Sequence, residues 1–145
     1  MSENDDFELA LFLPYLLNQA AEASSLAFQR VYRGRYGMLR TEWRVLFHLG
    51  IYGELTARDV CERAKIHKTK VSRAVAKLAE RRFLSRRKDE TDRRVEWLAL
   101  TQSGQAAYKD LRDVARRYDA ELIERFDLHD VDRLKVVLQK VSEAT

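Results

Sequence analysis

The side chains best suited to chemistry lie together in the middle of the chain. Lys68, Thr69, Lys70, Ser72, Arg73, Ala76 and Lys77 share one face of a helical register, and all but Ala76 carry hydrogen-bond donors. A cationic, donor-rich helix face suits a polyanion, and an α-helix fits the major groove of B-DNA. Arg73 is the first candidate for base reading, because a guanidinium donates two hydrogen bonds to guanine O6 and N7. Thr69, Lys70 and Ser72, near the helix N-terminus, stand where base edges and phosphates are met. Lys68 and Lys77 are assigned to phosphate, which adds affinity and salt dependence without sequence preference. A second group follows, the stretch RRKDETDRR from Arg86 to Arg94, with five basic and three acidic residues. It reads as the tip of a hairpin, and basic tips enter minor grooves where the negative potential is concentrated. A carboxylate has no direct role beside phosphate unless it orients an arginine. Asp92 is therefore read as the brace of Arg94, leaving Arg93 or Arg94 to reach the groove.

These residues need elements to hold them. Thr56 and Asp59 have the spacing of a capping box with Leu55 and Val60 as a staple, which predicts a short helix from Thr56 to Ala64. After the turn residues Lys65, Ile66 and His67, a second helix from Lys68 to Arg82 buries Val71, Ala74, Val75 and Leu78 at i, i+3, i+4 and i+7. Phe83 to Arg86 and Val95 to Leu100 are rich in strand formers and predict a β-hairpin. Helix, tight turn, helix and charged hairpin, in that order, make a winged helix-turn-helix.

Flanking this centre, small and apolar residues recur at helical spacing from Leu16 to Val31, behind Pro14 and ahead of Gly34 and Gly37. A further helix is expected to begin near Met38, with Trp43, Leu46 and Phe47 inward, and to break at Gly50 to Gly53. Thr101 caps a long helix whose stripe runs from Ala107 to Phe126, and a last helix carries Leu134, Val137, Leu138 and Val141. The expected fold is mainly α with a small β-hairpin wing. The first stripe is wider than a core of this size covers, which predicts packing on a second subunit.

Composition agrees. The 145 residues make one domain, and five glycines with one proline argue against glycine-spaced β architectures. Residues 65 to 94 hold twelve Lys and Arg against four Asp and Glu, a local net charge of +8, while the rest of the chain carries −4. No apolar run is long enough for a bilayer and the first residues are acidic, so a cytoplasmic protein without a membrane partner is expected. Cys61 has no second cysteine to pair with and reads as core packing. His48, His67 and His129 are too scattered for a metal motif, and no phosphate loop, nucleophile elbow or His/Asp/Ser arrangement is visible. The residues point to no catalytic site, metal or cofactor.

Trp43-Arg44-Val45-Leu46, Val71-Ser72-Arg73 followed by Leu78, and Asp92-Arg93-Arg94 leading to Leu98-Ala99-Leu100-Thr101 and Gly104 together resemble the MarR family of bacterial regulators over nearly the whole chain. The resemblance implies a homodimer binding double-stranded DNA at a pseudo-palindromic operator, as a ligand-responsive repressor. It implies a DNA-binding lobe over residues 38–101 and a helical dimerisation region over 8–37 and 102–145 of a single domain. It also implies a pocket for a small aromatic or phenolic ligand. Tyr15, Tyr32, Tyr36, Trp43 and Phe47 are the candidate lining, with Arg40 or Arg44 as the charge for a carboxylate; ordinary core packing is the competing reading. Three positions depart from the family pattern. Arg82-Phe83 replaces a glycine before the wing, Leu39 replaces a Ser or Thr cap, and His67 stands where Asp or Ser caps the second helix. A protein-interaction module or a non-specific architectural DNA-binding protein are the alternatives.

Overall fold

A computed structural model describes residues 5–144, which divide into two compact units at the peptide between Leu39 and Arg40. The first holds a short 3-10 turn at Leu9–Leu11 and the helix α1, Leu13–Tyr36. Pro14 sits in the first turn, where its missing N–H costs nothing. Gly37 ends the helix at φ 64, its N–H donating to the Arg33 carbonyl while Met38 N–H donates to the Tyr32 carbonyl.

The second unit begins with α2, Arg40–Tyr52. The expected start near Met38 moves two residues on, and Gly50 does not break the helix. The turn comes at Gly53, where φ is 79 and only glycine is free of strain. Inside the helix, the missing Cβ of Gly50 leaves room for the Tyr108 ring, which a Cβ would meet at 2.4 Å. The strand β1, Leu55–Thr56, leads into α3, Ala57–Ala64. Thr56 Oγ1 accepts from Asp59 N–H at 3.1 Å and Thr56 N–H donates to Asp59 Oδ2 at 3.1 Å, completing the capping box.

Lys65 closes α3 in the left-handed region at φ 54, and the buried Ile66 turns the chain into α4, Lys68–Glu80. The strands β2, Leu84–Lys88, and β3, Glu96–Leu100, pair antiparallel from Leu84↔Leu100 to Lys88↔Glu96. The sheet has three strands rather than the two of a hairpin, because β1 adds to the far edge of β3 through Leu55↔Leu98 and Thr56↔Trp97. Then come α5, Gln102–Ile123, and α6, Leu128–Ala144. Thr101 Oγ1 accepts from Gly104 N–H at 3.1 Å, the expected cap. Phe126 lies beyond the end of α5 and is exposed, so the stripe is shorter than its periodicity predicts.

The core of this unit gathers Val45, Leu46 and Leu49 of α2, Val60 of α3, Val71, Val75 and Leu78 of α4, Leu84 and Leu98 of the sheet, and Leu111 of α5. Each fully buried aliphatic side chain contributes about 1.5–3 kcal/mol relative to exposure. The three helices α2, α3 and α4 pack on one another, and α4 packs on β2. The wing thus starts from the same core that fixes the outer face of α4.

Candidate nucleic-acid interface

Burial on α4 follows the helical period. Val71, Ala74, Val75 and Leu78 are buried, while Lys68, Thr69, Lys70, Ser72, Arg73, Ala76 and Lys77 are all exposed. Four inward residues fix the helix rotationally and leave a cationic ridge along the other side. The helix ends at Glu80 rather than at the expected Arg82. Its exit depends on Arg82, which adopts φ 66 with its carbonyl accepting from Thr101 Oγ1 at 2.6 Å. The left-handed backbone that glycine normally supplies is retained here by an arginine, at a cost of about 1 kcal/mol.

His67 does cap α4. Its Nδ1 accepts from Thr69 N–H at 3.2 Å, which requires that nitrogen to be unprotonated. The departure from Asp or Ser at this position therefore leaves the helix capped: an imidazole nitrogen does the work of a carboxylate or hydroxyl.

The hairpin is organised differently from a simple basic tip. Arg86, Arg87 and Lys88 belong to β2, not to the turn. Arg86 Nε donates to Glu96 Oε1 at 2.9 Å across the strands, and Arg87 pairs with Glu54 while its guanidinium lies 6.0 Å from the Trp97 ring. The connecting residues are closed by Asp89 N–H donating to Val95 O and Val95 N–H to Asp92 O. Asp92 braces Arg94 with three bonds. Its Oδ1 accepts from Arg94 N–H and Nε at 3.1 Å each, and its Oδ2 from the terminal guanidinium nitrogen at 3.3 Å. The Arg94 side chain is nevertheless 92% exposed, so it is both oriented and presented. Bonds from the Arg94 side chain and then its backbone hold the Asp92 carboxyl below the usual carboxylate range.

Asp89 was visible in the sequence only as one acid among several in a loop. Its Oδ1 accepts from Trp97 Nε1 at 3.0 Å; its Oδ2 accepts from Thr91 Oγ1 at 2.7 Å, Asp92 N–H at 2.9 Å and Thr91 N–H at 3.1 Å. The Trp97 bond, followed by those from Asp92 and Thr91, pushes its carboxyl well below the ordinary value. An Asp two and three residues ahead of its N–H donors is an Asx-turn signature. Its Trp97 partner lies eight residues away and only the sheet register brings it close.

The candidate ligand residues divide between the two units. Tyr15, Tyr32 and Tyr36 lie on α1, with Tyr32 buried; Arg40, Trp43, Arg44 and Phe47 lie on α2. Within the second unit, Trp43 meets Phe47 edge to face at 5.2 Å, and Phe47 meets Tyr108 in the same way at 5.3 Å. The half-buried Arg44 donates to the Ala64 carbonyl at the end of α3 at 2.8 Å. Burial, and then the charge of Arg40, lower its pKa. Phe47 and Arg44 thus have packing roles of their own.

No helix among the described residues is long and apolar enough to cross a membrane. The sequence model of the MarR family matches residues 36–95. The uncharacterised HTH-type transcriptional regulator YwaE of Bacillus subtilis (strain 168) is 26% identical over 108 residues, 74% of this chain and 63% of that protein. The chain thus spans less than two thirds of that relative's length. The fold superimposes on the MarR family transcriptional regulator SPO1453 from Silicibacter pomeroyi DSS-3 with a TM-score of 0.81 and 26% identity, covering 96% of this chain and 98% of that one. It superimposes on S. aureus MepR, from a MepR–DNA complex, with a TM-score of 0.83 and 16% identity, covering 92% and 98%. The family match lies across the helix-turn-helix and into the wing, and the likeness to a solved structure of the family extends over nearly all the rest, so in sequence and in fold the chain is similar to MarR family regulators.

Proposed function

We propose that this protein is a sequence-specific DNA-binding transcriptional regulator and not an enzyme, acting as a homodimer on a pseudo-palindromic operator in the cytoplasm. The observation that carries the reading is the pairing of an exposed cationic face on α4 with an arginine, Arg94, that is held by a carboxylate yet fully presented. Arg73 reads bases and Lys68, Thr69, Lys70, Ser72 and Lys77 position the helix in the major groove, while Arg94 and its neighbour Arg93 enter the minor groove. Arg86, tied to Glu96 on the strand, contributes charge to the wing stem. The likeness to MepR, whose structure is that of a DNA complex, supports the same partner.

Support for the homodimer comes from apolar surface. Phe12, Leu13 and Leu16 at the start of α1 and Leu134, Val137 and Leu138 on α6 are exposed in the single chain, as expected where residues 8–37 and 102–145 form a dimerisation region. Two α4 helices then meet successive major grooves, with half-site centres about 34–36 Å apart. A small aromatic or phenolic ligand near Trp43 that favours another lobe separation would release the operator, its differential affinity for the two states supplying the energy.

The test is substitution of Arg73 and Arg94 by alanine, singly and together, with DNA affinity and sedimentation measured on the same samples. Each single change is expected to weaken operator binding by about tenfold or more, Arg73→Ala through loss of a bidentate base contact in the major groove and Arg94→Ala through loss of the cation in the minor groove. The sedimentation coefficient is expected to stay that of the parent dimer. Unchanged affinity in the double variant would overturn the assignment.

A further inference from the structure

Arg94 is held by Asp92, but Asp92 itself lies on an exposed turn, and something must hold the turn. The four bonds to Asp89 do so. Asp89 Oδ2 fixes the Asp92 and Thr91 backbone N–H groups, and Asp89 Oδ1 is tied to the indole of Trp97, a half-buried residue near the start of β3. Trp97 is in turn fixed by register between Thr56 of β1 and Arg87 of β2. A continuous series of bonds therefore runs from the three-stranded sheet through Trp97, Asp89 and Asp92 to the Arg94 guanidinium.

Resting on the DNA reading above, we propose that Asp89, anchored by the Trp97 indole, is a positioning residue that holds the wing arginine Arg94 ready for the minor groove. It makes no contact with DNA in this role. Its effect is on the fraction of molecules whose wing is competent to bind, and apparent affinity falls in proportion to that fraction. The proposal has a sign that electrostatics alone does not share. Deleting a carboxylate from a DNA-facing loop raises the local positive charge and strengthens phosphate binding, whereas loss of positioning weakens it.

The experiment compares the full-length protein with Asp89→Ala, Trp97→Phe, Arg94→Ala and Asp89→Ala/Arg94→Ala. Trp97→Phe removes the indole N–H while keeping an aromatic ring in β3, and so guards against a variant that merely fails to fold. Two readouts are taken. The first is the heteronuclear NOE of the Arg94 Nε–H in the free protein. A rigid value in the parent and a mobile one in both Asp89→Ala and Trp97→Phe is expected; an unchanged value in these variants would overturn the proposal whether or not the protein binds DNA. The second is affinity for the duplex that the parent protein enriches most from a random-sequence pool. Asp89→Ala is expected to weaken it by about fivefold, the scale of one net hydrogen bond. In the Arg94→Ala background the same change is expected to cause no further loss. Tighter binding by Asp89→Ala, or losses that multiply in the double variant, would overturn the proposal. A parent protein that enriches no duplex, with Arg94 rigid and Asp89-dependent, would sink the DNA reading and leave the positioning role standing.

Discussion

Replacing Gly104 by alanine tests the joint between α5 and the wing. Gly104 is in the first turn of α5 with its N–H capped by Thr101, and a Cβ built there falls 1.9 Å from the Phe83 carbonyl oxygen and 3.2 Å from Leu100 Cβ. The crowded atom is backbone, and it already accepts a hydrogen bond from Thr101 N–H at 3.1 Å, so it has nowhere to swing. Overpacking of this kind costs about 1–3 kcal/mol, and displacing the Phe83 carbonyl adds about 1 kcal/mol for the lost bond. Alanine's better helix propensity returns less than about 1 kcal/mol. The net expectation is about 2–3 kcal/mol, a fall in Tm of about 4–12 °C for a chain of this length. Urea denaturation at fixed protomer concentration, read by Trp fluorescence, measures it. Gln105→Ala, one residue on and exposed, is the control and is expected to stay within about 0.5 kcal/mol of the parent. A Gly104→Ala protein as stable as that control would refute the close approach of α5 to the wing base.

Arg82→Gly is expected to raise the urea midpoint, gaining about 1 kcal/mol by relieving the left-handed backbone at φ 66; a lower midpoint would contradict this. The Asp89 and Asp92 carboxyls are depressed by their hydrogen bonds. Between the folded and unfolded values the folded wing binds fewer protons, so the stability these groups contribute is present above the unfolded value and lost as pH falls through the folded one. The Trp97 indole N–H resonance is therefore expected to stay fixed as pH falls through about 4, the ordinary aspartate range, and to move only in stronger acid; a midpoint near 4 would refute it. Lys77→Ala is expected to flatten the salt dependence of DNA binding by about one unit of log–log slope per lobe without changing which sequence is preferred.

Much of the fold was legible because its signals are local. The capping box of Thr56 and Asp59, the inward quartet Val71, Ala74, Val75 and Leu78, and the Thr101 cap each depend on residues within one or two helical turns of each other. What the sequence hid depends on register or on backbone conformation. The strand Leu55–Thr56 is only two residues long and exists because β3 offers it an edge. Gly50 is a packing position inside α2 and not a helix end, and the ring it makes room for lies on α5, fifty-eight positions away in the chain. His67 departs from the Asp or Ser usual at a cap, and its capping role shows only in the structure, where an imidazole nitrogen accepts the same N–H. In the candidate site, the Asp92–Arg94 brace was readable from two neighbouring residues. The Asp89–Trp97 anchor was not, because only the pairing of β2 with β3 brings the indole to the carboxylate.

The central claim, that α4 and the wing present a DNA-reading surface, is tested most directly by the fragments of the source genome that the purified protein retains as salt is raised. The chain exposes Lys68, Lys70, Arg73, Lys77, Arg93 and Arg94. If about half of these contact phosphate in each of two lobes, the log–log slope is about −5. Retention of fragments sharing one inverted repeat, with half-sites about one helical turn apart and a slope of that size, is the predicted result. Equal retention of all fragments would make the protein an architectural DNA binder, and no retention at moderate salt would contradict the account.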